Sequence, residues 1–212
     1  TIMNNNTNIQ VWFLRHGKTP FDYENSKYDD FIQMLCNGHK TPLANDPEIN
    51  FKSLPSQVDF VGYSPFKRAF QTAKVLCNEL DVKHMEEMPI LHEVRFDKNI
   101  ISENEFESLE QIRPEILRRW YRNENKAESF LASWARVKEI ESFISKQQEK
   151  TIILVTHGWF LRLLDLYFVQ GKHTPTIKDL LETKPVPLGN FIKVTVARKH
   201  QIESQDLVRA IF

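Results

Sequence analysis

The sequence predicts an α/β fold, a three-layer αβα sandwich with a mostly parallel central sheet and a helical cap insertion. Two short apolar runs, residues 9–14 and 151–156, each end at a His-Gly pair. Apolar runs of this length are typical of strands that are buried on both faces. Strands alternate with helical patterns along the chain, which is the signature of a layered sheet. Because ligands bind outside the carboxyl ends of such strands, both His-Gly pairs are expected at one ligand site.

The segments between these runs supply the other elements. A third strand over residues 60–63 leads into Ser64 and Pro65, a favourable N-cap and N1 pair for a helix that carries Arg68 in its first turn. A loop with glycine and polar groups is expected after the first strand. The remaining predictions are amphipathic helices over about 103–121 and 127–148, a helix from 159, strands over 191–196 and 207–212, and an irregular connection over 37–58.

Length and charge favour a single domain without general affinity for polyanions. The domain is expected over residues 9–212, with the cap at about 95–125, whereas residues 1–8 are expected to be disordered or to come from cloning. Lys plus Arg and Asp plus Glu each number 28, so the formal charge is zero. Neither nucleic acid nor an anionic membrane is therefore expected as a partner.

Cysteine use and hydropathy favour a cytoplasmic protein. Cys36 and Cys77 are far apart in the chain and lie in no metal-binding spacing, which is expected of a reduced protein. No apolar stretch approaches the ~18 residues that are needed to span a bilayer. The first residues also lack the pattern of a signal peptide.

The end of the first strand indicates phosphate chemistry. His16 titrates near neutral pH, so a neutral imidazole is available to attack phosphorus and form a covalent phosphohistidine. Arg15 can hold two phosphoryl oxygens through its planar guanidinium. An Arg-His-Gly tripeptide alone is also consistent with a solvated Arg and a hydrogen-bonded His at a strand end. Arg68 and His157 lie at two further strand-to-helix junctions, and their convergence favours a site.

Four motifs follow one another in a characteristic order. They are RHGKT at 15–19, SPFKRAFQTA at 64–73, LHE at 91–93 and VTHG at 155–158. Through these motifs the chain resembles the histidine phosphatase superfamily, also called the phosphoglycerate mutase-like family, from about residue 9 to residue 196. The resemblance implies the αβα sandwich and no required metal or cofactor.

The resemblance also implies roles for individual residues. His16 would be the nucleophile, Arg15, Arg68 and His157 the phosphate pocket, and Glu93 the general acid. Three further residues are candidate phosphate ligands, although the first two are equally suited to capping helices: Thr19, Ser64 and Gly158. Three other carboxylates are rivals for the role of the acid: Asp97, Glu103 and Glu105.

Departures from the family pattern leave the substrate open. Asp22 stands where members often carry an Asn that helps to hold phosphate, and an anion there would repel phosphate unless it is protonated or turned away. The cap carries cations that could recognise an anionic substrate or simply form a solvated helix face: Arg95, Lys98, Arg113, Arg118, Arg119 and Arg122.

The sequence therefore predicts a phosphomonoester hydrolase that acts on a small phosphorylated substrate. A mutase-type phosphotransferase and a non-catalytic phosphate-binding protein are the alternatives. The sequence leaves open whether the protein forms a homodimer.

Overall fold

The computed structural model describes residues 8–22, 26–105 and 108–197 of the chain. The strands are β1 (Ile9–Arg15), β2 (Gln57–Val58), β3 (Phe60–Tyr63), β4 (Asp81–Val82), β5 (Met85–Glu87), β6 (Thr151–Thr156) and β7 (Phe191–Val196). The α-helices are α1 (Tyr28–Asn37), α2 (Lys67–Glu79), α3 (Leu109–Tyr121), α4 (Phe130–Ser145), α5 (Gly158–Leu164) and α6 (Ile177–Glu182). Within these ranges, no helix combines the length and apolar character that crossing a bilayer requires.

The central sheet has five strands in the order β5-β3-β6-β1-β7. The first four run parallel to their neighbours, and β7 runs antiparallel to β1. β2 and β4 form a separate parallel pair. The predicted α/β fold with a mostly parallel sheet is confirmed. The predicted strand over 207–212 lies outside the described residues.

Alternate residues of β1 face opposite helical layers, as the pleat of a strand requires. Val11 and Phe13 belong to a core that includes residues of α3, α4 and α5. Trp12 and Leu14 belong to a second core that includes Ala69 and other residues of α2. Burial on both faces explains why β1 and β6 are almost continuously apolar.

Helix α2 begins later than predicted, and Ser64 is not its N-cap. The backbone N–H of Ser64 donates to the carbonyl of Val155 at 3.0 Å, so this residue still continues the pairing with β6. Phe66 occupies the N-cap position instead. Arg68 nevertheless lies in the first turn, as predicted, and its side chain is buried.

Two helices are not among the predicted ones, α1 and the short α6. Phe31, Ile32 and Leu35 recur at helical spacing in α1 and pack against the core. The residue before α1 is Lys27, which makes no side-chain capping bond, so the sequence gives no signal for the start of this helix. By contrast, the side chains of Ser108 and Ser129 cap the N-termini of α3 and α4. These helices therefore begin at Leu109 and Phe130, later than the predicted starts at about 103 and 127.

Candidate active site

Three neighbouring strands deliver side chains to one edge of the sheet. Arg15, the last residue of β1, is in register with Thr156 of β6, and β3 pairs with the other side of β6. The residues that follow these strands, His16, His157 and Ser64, therefore meet at the carboxyl edge. The ring centroids of His16 and His157 are 5.1 Å apart. The structure thus brings the two predicted His-Gly pairs together.

His16 is held in one neutral tautomer. Its Nδ1 lies 2.8 Å from the carbonyl oxygen of Gly17, so we assign the ring proton to Nδ1. Its Nε2 accepts the Nε–H of Arg68 at 2.9 Å and therefore carries the lone pair. Burial lowers the pKa of His16 well below its usual value, and the charges of Arg68 and Arg15 lower it further. A neutral imidazole with a lone pair on Nε2 is the form that can attack phosphorus.

The two predicted phosphate-binding arginines are fixed by backbone carbonyls. Arg15 Nη1 donates to the carbonyl of Val186 at 2.7 Å, and Arg68 Nη1 donates to the carbonyl of Gly38. Gly158 packs under Arg15, because a Cβ at this position would lie 3.1 Å from the guanidinium carbon. Backbone anchors of this kind preorganise the guanidinium groups before an anion binds.

His157 is fully buried and is paired with Ser64. Its Nε2 lies 2.7 Å from Ser64 Oγ, which also accepts the N–H of Phe66 at 3.3 Å. Because the Phe66 N–H can only donate and no other acceptor for the hydroxyl is present among the described residues, we assign the hydroxyl proton of Ser64 to the bond with Nε2. The proton of the neutral ring then resides on Nδ1, which has no hydrogen-bond partner among the described residues. Ser64 thus orients the buried ring of His157 beside His16, although His157 is not among the described residues that line the cavity next to His16.

The charge state of His157 supports this assignment. Burial lowers its pKa well below the usual value, and the charges of Arg68, His16 and Arg15 act in the same direction. The ring therefore stays neutral near physiological pH.

Glu93 lies at the N-terminus of α5. Its Oε1 accepts the backbone N–H groups of Val94 and Phe160, both at 2.9 Å, and its Oε2 accepts that of Trp159 at 3.2 Å. Burial nevertheless raises the pKa of Glu93, because its effect outweighs the opposing effects of Arg68 and of these N–H groups. A carboxyl group with a raised pKa is suited to donating a proton near neutral pH.

A cavity of about 320 Å³ opens beside these groups. Its polar wall contains Arg15, His16, Arg68, Glu93, Arg113, Gly158 and Arg162. Its apolar wall contains Phe31, Met34, Leu35, Phe66, Trp159, Pro185 and Leu188. A nucleophile, paired cations and a carboxyl group therefore share one cavity of a size that suits a small molecule.

Comparison with known proteins identifies the family. Residues 11–180 match the model of the histidine phosphatase superfamily, branch 1. The chain belongs to this superfamily. No curated protein matches the chain.

Several phosphatases and a phosphoglycerate mutase of known structure share the fold of this chain. A putative alpha-ribazole-5'-P phosphatase from Escherichia coli is 20% identical, with a TM-score of 0.56, and the match covers 90% of this chain and 95% of that one. A phosphoserine phosphatase from Entamoeba histolytica is 14% identical, with a TM-score of 0.58 and coverage of 91% and 98%. A phosphoglycerate mutase from Bacillus anthracis is 17% identical, with a TM-score of 0.52 and coverage of 92% and 90%. Identities this low establish the fold, not the substrate.

Two other residues that the sequence analysis discussed, Thr19 and Asp22, do not line the cavity in the described structure. Thr19 is buried, its Oγ1 has no partner among the described residues, and it is not one of the residues that line the cavity. Asp22 is exposed and lines a second cavity with His39 and Lys40, and it is not among the described residues that line the cavity of His16.

The rival carboxylates lie elsewhere. Glu105 pairs with Arg119, Oδ1 of Asp97 accepts the N–H of Asn99 at 2.8 Å, and Glu103 is exposed. Glu93 is the one carboxylate among the described residues that line the cavity.

Arg162 is a functional candidate that the sequence analysis missed. Arg162 follows Gly158 by one helical turn on α5, so the two residues share a face, and both line the cavity. A single cation inside the apolar run Trp159–Leu164 was the available signal. The apolar wall contributed by α1 was also missed, since that helix was not predicted.

Proposed function

We propose that the protein is a phosphomonoester hydrolase that works through a phosphohistidine on His16. The observation that carries the proposal is the tautomer of His16. Gly17 holds the proton on Nδ1, and the Nε2 lone pair points at Arg68 within the cavity. Membership of the histidine phosphatase superfamily supports the same chemistry.

In the first step, His16 Nε2 forms a bond to phosphorus while the bond from phosphorus to the ester oxygen breaks. Arg15 and Arg68 bind the non-bridging oxygens and neutralise their charge, which is the main requirement of phosphoryl transfer. His157, whose ring centroid lies 5.1 Å from that of His16, would donate its Nδ1–H to a phosphoryl oxygen only after a local opening of the site. Glu93, whose raised pKa favours its protonated form, gives its proton to the departing oxygen, and the product alcohol leaves.

In the second step, water attacks the phosphorus of phosphohistidine. The Glu93 carboxylate, now ionised, accepts a proton from that water. The bond from phosphorus to Nε2 breaks, its electron pair returns to the imidazole, and inorganic phosphate is released. Glu93 is again protonated, so the site is restored for another substrate molecule.

A panel of phosphate esters tests this proposal. We expect release of inorganic phosphate from p-nitrophenyl phosphate and from alkyl phosphates in the presence of EDTA. His16→Ala should abolish turnover, and acid-labile phosphate should label the wild-type chain after a rapid quench. His84→Ala is the matched control, because His84 is exposed and pairs with Glu86 at 3.6 Å. Turnover that required added metal would contradict the mechanism.

The same assay separates the alternatives. A mutase would return the phosphoryl group to a second hydroxyl of its substrate and release little inorganic phosphate. A non-catalytic binding protein would bind inorganic phosphate without forming phosphohistidine. Either result would overturn the proposal of a hydrolase.

We also propose a cytoplasmic location. Cys36 and Cys77 are free cysteines, and burial raises the pKa of both thiols, which slows oxidation through the thiolate. Unpaired thiols are expected where glutathione keeps proteins reduced. Fractionation of cells that express the protein would test this, and recovery from the culture medium would contradict it.

A further inference from the structure

Arg162 is the feature of the cavity that the proposed reaction does not use. Its side chain is 5% exposed, and its Nη1 donates to the carbonyl of Leu180 at 2.6 Å and to that of Thr183. Within the described ranges, its Nε and Nη2 have no acceptor. A buried guanidinium with donors left over at a cavity wall is expected to bind an anion there.

Arg162 does not stand alone. Burial and the charges of Arg113 and Arg15 lower its pKa to about 10, although Asp165 opposes this effect, so each of these two guanidinium groups repels that of Arg162. Asp165 does not compensate for this repulsion with an ion pair among the described residues, and its Oδ2 accepts from Gln170 Nε2 at 2.7 Å. A ligand with two negative groups would relieve the repulsion.

The cations fall into two groups by their contacts. Arg68 contacts the proposed nucleophile directly, and Arg15 packs against Gly158, the residue that follows His157. Arg162 is anchored to the end of α6 and to the residue after it, and Arg113 comes from α3 in the predicted cap. Arg68 is the arginine that donates to His16 among the hydrogen bonds of the described residues. The cavity wall around Arg113 and Arg162 is largely apolar.

We propose that Arg162 and Arg113 form a second anion subsite, which selects phosphate esters whose apolar leaving group carries a carboxylate or a second phosphate. This inference rests on the proposed phosphatase function, since it names the substrate class of the same cavity. Arg15 and Arg68 would take the phosphoryl group that is transferred. The apolar wall would contact the body of the leaving group, and Arg162 would hold its far end through a charge-assisted hydrogen bond.

Matched ligands test the subsite independently of turnover. The probes are the meta and para isomers of carboxyphenylphosphonate, which cannot be hydrolysed, and the methyl ester of each carboxyl group. Calorimetry on the wild-type protein should show that at least one acid binds about tenfold more tightly than its ester, a typical value for a charge-assisted hydrogen bond. Equal affinity within both pairs would overturn the subsite.

Variants of Arg113 and Arg162 test whether these two residues cause the preference for the acid over its methyl ester. Arg113→Met and Arg162→Met should each reduce the preference for the acid at least fivefold, with a much smaller effect on the ester. Arg118→Met is the matched control on α3, because Arg118 pairs with Glu115 at 3.5 Å and does not line the cavity in the described structure. The Arg113 variant keeps the test valid if the Arg162 variant misfolds, since the side-chain bonds to the carbonyls of Leu180 and Thr183 come from Arg162. A preference unchanged in both variants would overturn the assignment.

Turnover of the corresponding phosphates separates this inference from the proposed function. Hydrolysis of acids and esters at equal rates, with equal phosphonate affinities, would leave the phosphatase intact and overturn the subsite. Selective binding of the acidic phosphonates without hydrolysis of any phosphate would support the subsite and overturn the phosphatase.

Discussion

Arg68 donates its Nε–H to Nε2 of His16 at 2.9 Å, so a proposed phosphate ligand contacts the proposed nucleophile before substrate binds. The bond keeps the lone pair directed toward the position where the guanidinium would hold phosphate. The charge of Arg68 also lowers the pKa of His16, second only to burial. One residue therefore contributes to both the orientation and the protonation state of the nucleophile.

Replacement of Arg68 should affect both properties. We expect Arg68→Met to lower kcat/KM by about 10²–10³, the usual cost of removing a preorganised donor to a developing charge. The pKa of His16 should rise, because a positive neighbour that disfavours the imidazolium has been removed. Steady-state kinetics and NMR titration of the imidazole measure the two effects. Lys67→Met is the control, since Lys67 is exposed on the same helix; an equal loss there would contradict the specific role.

The proposed role of Glu93 as the general acid predicts how activity depends on pH and on the leaving group. Burial raises the pKa of Glu93, and the protonated form is the one that donates. Activity on alkyl phosphates should therefore fall as pH rises through this raised pKa. Hydrolysis of p-nitrophenyl phosphate should fall less, because its leaving group needs little protonation. Glu93→Gln should slow alkyl phosphates by about 10²–10⁴ and remove this alkaline limb. Equal slowing of both esters would point to another role for Glu93.

A side chain at position 158 should displace the guanidinium group of Arg15. A Cβ at this position would lie 3.1 Å from the Arg15 Cζ and 3.2 Å from both its Nε and Nη2. Because Arg15 is anchored to Val186, it cannot retreat without losing a hydrogen bond. We expect Gly158→Ala to raise KM and weaken inhibition by inorganic phosphate severalfold, up to about tenfold, because the guanidinium would have to move by a few tenths of an ångström. Circular dichroism should show an intact fold, and unchanged phosphate affinity would show that Arg15 adjusts freely.

The parts of the site that were predictable lie at the ends of adjacent strands. Arg15, His16 and His157 follow apolar runs, and parallel strands bring their carboxyl ends to one edge regardless of the intervening chain. Arg68 was predictable because it lies in the first turn after β3, although the start of its helix was misplaced. The error at Ser64 arose because a serine before a helix looks the same in sequence whether it caps that helix or bonds to a distant histidine.

The cavity walls were not predictable to the same degree. Arg162 and the apolar residues of α1 reach the cavity through tertiary packing, and periodicity within a segment does not specify which cavity a helix face lines. The position of Asp22 illustrates the same limit, since the sequence indicated a repulsive anion near phosphate and the structure places it at another cavity.

Glu93 is positioned by a network from α4. Arg136 Nη1 donates to the carbonyls of Ile90 and His92, at 2.9 and 2.8 Å, and its Nη2 pairs with Glu128 at 2.7 Å. Glu128 Oε2 in turn accepts the N–H of Arg95 at 2.9 Å. The pair is buried, with side chains 11% and 4% exposed. Its contacts fix the backbone on both sides of Glu93, so it should control where the acid sits.

Two variants separate this positioning role from a contribution to stability. Arg136→Met leaves the buried Glu128 carboxylate without its main partner, so we expect a loss of about 3–5 kcal/mol in the free energy of unfolding. Arg136→Met with Glu128→Met should recover much of that loss, because an apolar pair can replace a buried ion pair at little cost. The bonds to Ile90, His92 and Arg95 remain absent in the double variant. It should therefore still hydrolyse alkyl phosphates about tenfold more slowly than the wild type does. Its loss of activity on p-nitrophenyl phosphate should be smaller than its loss on alkyl phosphates. Full recovery of alkyl phosphate hydrolysis, with stability measured by urea denaturation, would show that packing alone places Glu93.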